Sequence, residues 1–334
     1  MKSEQMFATM KPKYSTRLGV VSLYRLMVSF LDFCREYETE EACEQAFFEA
    51  KWPDGFRCPR CRASQAYVTR TRRLALYECK TCRHQTSVIA GTVLEGSRTP
   101  MKLWLRAIFL HSQSNAMPAT QLSQILGVTY KTAWLIGHKL RHATSVADAG
   151  HPLTGTVRVN IGVYIRSRHP GFKSKSDMYP LWVGASMNDR QEPEYIKIKT
   201  VRQEHLCYMR VLPSGVESFI SENIAPGTTD LFCVSHYGSA QKIKALSAAK
   251  IEAVAWLKIG FWGGIGPKHL QAYLNQFCFN RNVTNRKSSI FDVLFQLCAK
   301  TRTLIYPVLI GKRQASTPTR RRPRLRPAAL ERVG

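Results

Sequence analysis

Between residues 29 and 50 apolar positions recur at helical spacing. Thr39 followed by Glu40 and Glu41 reads as a helix start, with an N-cap and acids in the first turn. Over residues 65–77 the spacing shortens to alternation around Tyr67, Val68, Leu74 and Leu76 with arginines between, which predicts a hairpin. Residues 88–94 read as another strand. Pro100 opens a helix expected to run to about Ser114, with Leu103, Trp104, Ala107, Ile108 and Leu110 on its apolar side. A second helix is expected over 119–126 and a break at Gly127-Val128. Thr129 then caps a third helix running to about Ala143. Helix, glycine turn, helix is the outline of a helix-turn-helix, with Leu122, Ile125, Val128, Ala133, Trp134 and Ile136 as its core.

The pattern changes beyond residues 147–152, a turn-rich linker. Residues 156–165 (TVRVNIGVYI) alternate and are rich in β-branched side chains, as a strand requires. Further strands are expected at 179–186, 195–201, 206–212 and 229–234, and helices at 215–223, 240–257 and 267–282. Strands followed by helices predict an α/β domain with a mixed central sheet. The fold class is therefore multidomain α/β. An N-terminal extension and helix occupy 1–50, a zinc ribbon 51–97, a helix-turn-helix 98–146, the mixed-sheet domain 153–311, and a disordered Pro/Arg-rich tail 312–334.

Charge narrows the function. The 334 residues carry a formal net charge of +26, and a chain this basic repels itself and binds polyanions. Residues 57–83 hold Arg57, Arg60, Arg62, Arg70, Arg72, Arg73, Lys80 and Arg83 against the single acid Glu78. The tail holds Arg320, Arg321, Arg322, Arg324 and Arg326, a dense run of one sign that predicts disorder and non-specific phosphate contact. Double-stranded DNA is the expected partner, with binding that weakens steeply as salt rises. No apolar run is long enough for a membrane span and no secretory signal is evident, so the expected location is the cytoplasm. The acids of residues 1–50 read as a solvated helix face packed on the ribbon.

Four cysteines carry the firmest chemistry. Cys58-Pro-Arg-Cys61 and Cys79-Lys-Thr-Cys82 are two Cys-x-x-Cys pairs with seventeen residues between them. Each pair offers two thiolates to one side of a tetrahedral ion, and the intervening length suits a hairpin. A structural zinc ion on these four is the expectation. The alternative is four buried or disulfide-bonded thiols. His84 is expected at the surface, since four thiolates fill the site. Arg70, Arg72 and Arg73 on the ribbon, Thr129, Tyr130, Lys131 and Thr132 at the start of the third helix, and Lys139 and Arg141 further along are the expected DNA contacts.

Three stretches resemble a family of bacterial insertion-sequence transposases, the ISXO-like type with an N-terminal zinc ribbon. They are Thr39-Glu-Glu-Ala-Cys43 through Cys58, Tyr77 through Thr92 and on to Arg141, and Gly266-Pro-Lys-His-Leu-Gln-Ala-Tyr-Leu274. The resemblance implies an RNase-H-like domain of the DDE type, in which carboxylates hold two divalent metals for DNA cleavage and joining. It also implies a nucleoid-associated protein that forms a homo-oligomer. Mg²⁺ would be a cofactor only if catalysis is retained, and as a hard cation it needs acidic oxygens.

Those acids are mostly missing. The family's first carboxylate ends a Val-x-Val-Asp pattern, where this chain has Val157-Arg158-Val159-Asn160. Counting without gaps from Pro226-Gly227 puts Cys233 at the second position, and a short deletion puts Asp230 there instead. Asn275 and Gln276 stand at the third. His269 reads as a helix-surface or DNA-contacting residue. Amides bring no charge, and Arg158 and Lys258 oppose cations nearby. The expectation is a sequence-selective DNA-binding protein with impaired strand-transfer chemistry. The alternatives are an active transposase using Asp230 with Asn160, and a nucleoprotein scaffold.

Overall fold

The described residues of the computed structural model are 28–309, apart from 72, 167–176, 229 and 262–263. The extension 1–26, Arg72 and the basic tail lie outside them. The chain divides into two units, 1–303 and 304–334, the second represented by a short helix, Tyr306–Leu309. All that follows concerns the first.

Helix α1 covers residues 28–36 and α2 covers Glu40–Lys51. Thr39 caps α2, its Oγ1 accepting from the Ala42 N–H at 3.1 Å. Strands β1 (Ala66–Thr69), β2 (Leu76–Cys79) and β3 (Gln85–Ser87) form an antiparallel sheet in that order. Three helices follow: α3 (Met101–His111), α4 (Ala119–Leu126) and α5 (Tyr130–Ala149). Gly127 ends α4 in the left-handed region at φ 65°, where a side chain would be strained, and Thr129 caps α5.

Two acids of α2, Glu40 and Glu44, are joints, while Glu41 and Glu49 stay exposed as a solvated face would. The Glu40 carboxylate accepts from the Met101 and Lys102 N–H groups at 2.8 and 3.2 Å. It caps the start of α3, where Pro100 supplies no side-chain cap. Glu44 is buried and accepts from the Ala75 N–H at 2.9 Å. At the other end of α2, Lys51 donates to the carbonyls of Ser87, Val88 and Ala90 at 3.1, 2.9 and 2.6 Å. The small sheet is thus tied to a helix by charged side chains.

One core joins these elements. Phe47, Cys58, Tyr77 and Val88 pack in the same cluster as Trp104, Leu122, Ile136 and Leu140. Some of its members come from far along the chain. Helix α9 (Ile290–Lys300), absent from the sequence reading, adds Leu294, Phe295 and Cys298, and the Val93 N–H donates to the Cys298 carbonyl at 3.0 Å.

The central sheet contains β4 (Thr156–Ile165), β5 (Met178–Met187), β6 (Pro193–Thr200) and β9 (Leu231–Val234). Its order is β6-β5-β4-β9, antiparallel except for the parallel β4–β9 pair. Between β6 and β9 come a two-residue hairpin, β7 (Leu206–Cys207) with β8 (Arg210–Val211), and helix α6 (Pro213–Asn223). Alternation sorts β4: Val157, Val159 and Ile161 pack with Trp182 and Phe219 on one face. On the other face α7 (Lys244–Gly260) and α8 (Pro267–Asn285) build a second core with Tyr164, Val183, Leu257 and Leu274.

Helix α5 runs past the expected end at Ala143 to Ala149 and absorbs the front of the linker. Buried Asp148 explains the extension. It takes the ammonium groups of Lys199 and of Lys197, the latter at 3.5 Å and only 1% exposed. The Lys197 ammonium also donates to the Asp148 carbonyl at 2.6 Å. Sequence alone marks Lys197 as surface, and only the approach of Asp148 makes its burial tolerable. No helix among the described residues is long and apolar enough to cross a membrane.

Candidate metal centre and nucleic-acid surface

Each Cys-x-x-Cys pair forms a tight loop. The Cys58 N–H donates to the Ala63 carbonyl at 2.9 Å and the Arg62 N–H donates back to the Cys58 carbonyl at 2.9 Å. The second pair repeats this, with Cys79 N–H to His84 O and Arg83 N–H to Cys79 O, both 3.0 Å. The residue after each pair, Arg62 and Arg83, takes a positive φ of 64° and 55°. The β1–β2 hairpin carries one loop to the other.

The four sulfurs then converge within 4.8 Å of one another. Cys58 to Cys82 and Cys61 to Cys79 are each 3.5 Å apart. A Zn–S bond of about 2.3 Å in a tetrahedron requires sulfurs about 3.8 Å apart, so the cluster fits a zinc ion. Backbone N–H groups prepare it. That of Cys82, helped by Thr81, brings the Cys79 thiol down to about 6. Burial resists ionisation of Cys58, but the Cys61 and Arg60 N–H groups overcome it and lower that thiol too. Cys61, facing the other sulfurs, is pushed up to about 12 without a metal; a zinc ion would remove that proton. No disulfide joins these four. His84 stays outside the cluster.

Around this centre Arg57, Arg60, Arg62, Arg70, Lys80 and Arg83 are exposed. Tyr67, 53% exposed, lies beneath the Lys80 ammonium at 5.2 Å and the Arg83 guanidinium at 5.7 Å. Arg73 is exposed but donates to the Ser97 and Arg98 carbonyls, clasping the hairpin to the loop before α3. At the front of α5, Thr129, Tyr130 and Lys131 are exposed and Thr132 is half-buried. Thr129 also spends its hydroxyl on the helix cap.

Lys139 and Arg141, expected as DNA contacts, are buried at 7% and 3% exposure. Lys139 donates to the carbonyls of Val93 and Glu95, holding the loop beyond β3. The Arg141 guanidinium lies 3.8 Å over the Tyr273 ring, and its Nε has no hydrogen-bond partner among the described residues. Both point into the protein because α8 and α9 cover this side of α5. His269 likewise turns inward, 4.6 Å from the His138 ring.

The expected catalytic positions do not converge. Asn160 is buried; its Nδ2 donates to the Ile243 carbonyl at 2.8 Å and its Oδ1 accepts from the Ile243 N–H at 3.2 Å. It pins the start of α7, a task that uses the amide's donor and its acceptor. Asp230 precedes β9, whose Val234 is the residue paired with Asn160. Four residues of strand, about 13 Å at 3.3 Å each, separate Asp230 from that level. Arg158 holds it there with bonds of 2.7 and 3.1 Å and keeps the carboxyl below its ordinary range. Cys233 pairs with Val159 and faces the opposite side of the sheet from Asn160. Gln276 is buried against the His111 carbonyl, and Asn275 accepts from Lys199 and Gln271.

The space beside Asn160 is a cleft of about 200 Å³, lined by Gly162, Tyr237, Lys242, Ser247 and Lys250 among others, with no acid in the lining. The sequence reading missed these residues. Gly162, inside a β-branched run, was the available signal, since a strand glycine marks a close approach.

Residues 38–85 match the model of the transposase zinc-ribbon domain (IS1595), and the sulfur geometry above is that of a ribbon. Residues 38–85 are therefore similar to the transposase zinc-ribbon domain, with the four cysteines placed to hold its zinc ion. Over 128 residues, 38% of the chain, the protein is 26% identical to an uncharacterized protein in transposable element ISH50 of Halobacterium salinarum, and the match spans 42% of that relative's length. No solved structure matches.

Proposed function

We propose that this protein is a sequence-selective DNA-binding protein descended from an insertion-sequence transposase, with its strand-cleaving chemistry impaired. In this reading α4 and α5 are a helix-turn-helix. Thr129, Tyr130, Lys131 and Thr132 approach base edges while Arg70, Arg72 and the ribbon arginines grip phosphates. The mixed sheet is an RNase-H-like domain. Its strand order, three antiparallel strands and then a parallel one, supports that reading, as does the crossover through α6. The domain would hold DNA or a second copy of the chain through basic surface.

One observation carries the reading. The transposase-type ribbon shares a continuous core with the helix pair, while Asn160, Asp230 and Gln276 lie apart and are engaged in other contacts. Only one of the three, Asp230, is a carboxylate, so together they offer no carboxylate pair to hold two Mg²⁺ ions.

The test uses the full zinc-loaded chain. Selection from random duplexes is expected to enrich one sequence, with binding that falls steeply with salt and no strand cleavage in Mg²⁺ or Mn²⁺. Failure to enrich any sequence would overturn the DNA-reading part. Cleavage abolished by Asp230→Ala would overturn the loss of catalysis and restore the active transposase.

A further inference from the structure

The cleft beside Asn160 has the chemistry of an anion site. Lys242 and Lys250 both line it. Lys242 is half-buried, and burial, followed by the Lys250 charge, lowers its pKa below the usual lysine value. Its ammonium donates to the Tyr237 carbonyl at 2.5 Å, and no acid is among the lining residues of the cleft. Lys250 has no hydrogen bond or ion pair among the described residues. Two cations held together without a counter-ion repel each other, and the repulsion is relieved by binding an anion.

The surrounding groups are donors suited to oxygen. The Tyr237 hydroxyl is buried and has no hydrogen-bond partner among the described residues. Ser247 contributes a hydroxyl, 3.5 Å from the Asn160 amide nitrogen. The cleft also opens on the first two turns of α7, a 17-residue helix whose positive dipole end adds to the attraction.

The backbone is shaped to admit one of the lysines. A side chain at Gly162 would meet the Lys250 Cδ at 2.8 Å, so the glycine lets the lysine stem cross the face of β4. Asn160 fixes the other wall by tying Ile243 to the strand. The cavity, about 200 Å³, is large enough for one tetrahedral anion and small for a nucleotide.

We propose that this cleft is a metal-free phosphate site. Lys242, Lys250, Tyr237 and Ser247 would hold one phosphate group directly, and the same charges would exclude divalent cations. On the DNA-binding reading, from which the source of the phosphate follows, the group is a phosphodiester of the bound duplex. The pocket would then anchor the DNA backbone away from the ribbon and α5.

The experiment has two arms on the full zinc-loaded chain. In the first, inorganic phosphate is titrated and followed by ³¹P NMR and equilibrium dialysis. Wild type is expected to take up one phosphate per chain more than the Lys242→Met/Lys250→Met variant, with Mn²⁺ failing to compete. Equal uptake by both proteins, or none by wild type, overturns the site; the wild-type measurement decides even if the variant does not fold. In the second, duplex DNA affinity is measured against salt. The variant is expected to keep binding with a slope shallower by about 0.9, one phosphate contact. An unchanged slope overturns the phosphodiester assignment. If wild type binds phosphate but no duplex, the cleft stands as a free-phosphate site and the DNA reading falls.

Discussion

Arg158 closes on Asp230 with two hydrogen bonds, Nη1 to Oδ1 at 2.7 Å and Nη2 to Oδ2 at 3.1 Å. The bidentate grip occupies both carboxylate oxygens, and the carboxylate stays charged below its usual range. A metal arriving there would have to compete with the guanidinium charge. Titrating Mn²⁺ or Mg²⁺ into the zinc-loaded protein is therefore expected to leave Tm within error, and Asp230→Ala is expected to change nothing in that titration. A metal-dependent rise in Tm that Asp230→Ala removes would contradict this.

His111 and His138 make the fold sensitive to mild acid. Burial, reinforced by Arg141, brings each down to about 3. The unfolded chain takes up these protons near pH 6.5 and the folded one does not, so stability is complete above that pH and declines as pH falls toward 3. Each histidine contributes up to about 1.4 kcal/mol per pH unit across that window. Denaturant midpoints measured from pH 7 to pH 4.5 are expected to fall, and less steeply in His138→Phe.

Arg141 separates an interior role from a DNA-facing one. It is a buried cation that stacks on the Tyr273 ring and acts on His111 and His138, and such a charge costs about as much as its packing returns. Arg141→Met is expected to leave DNA affinity unchanged and to keep or raise stability, by roughly 0–2 kcal/mol. Lys131→Ala is expected to weaken DNA binding several-fold with little change in Tm. The reverse pattern would return Arg141 to the DNA surface.

Zinc is expected to support more than the ribbon. Cys58 and Cys79 sit in the core that also holds Trp104 and Leu122. Structural zinc contributes about 10 kcal/mol or more in small sites. Chelation, or Cys61→Ser, is therefore expected to broaden and lower the unfolding transition of the whole N-terminal half. Metal analysis should find about one zinc per wild-type chain and far less in Cys61→Ser. A wild-type chain that unfolds identically with and without zinc would show the coupling to be absent.

Much of this was legible in the residues. The ribbon followed from cysteine spacing, α4 matched its expected bounds, and the Gly127 turn and the Thr129 cap were readable from local rules. Long-range contacts were not. Nothing in the composition of α2 says that Glu40 caps a helix 61 residues later or that Lys51 reaches three carbonyls beyond β2. Lys139 and Arg141 carry the charge of a DNA contact, and only the placement of α8 and α9 turns that face inward. For Asp230 and Asn160, strand register was the missing quantity, since it alone sets them apart.

The return of α9 to the N-terminal core has a consequence for how the protein is made. A ribosome releases the ribbon and the helix pair early, yet the cluster they build lacks Leu294, Phe295 and Cys298 until close to 300 residues have emerged. The exposed basic surface of the ribbon and the helix pair therefore rests on one of the last parts of the chain to be made. A transcript cut short after α5 would encode every exposed residue of that surface and still yield no finished half, which makes assembly a check on full-length translation.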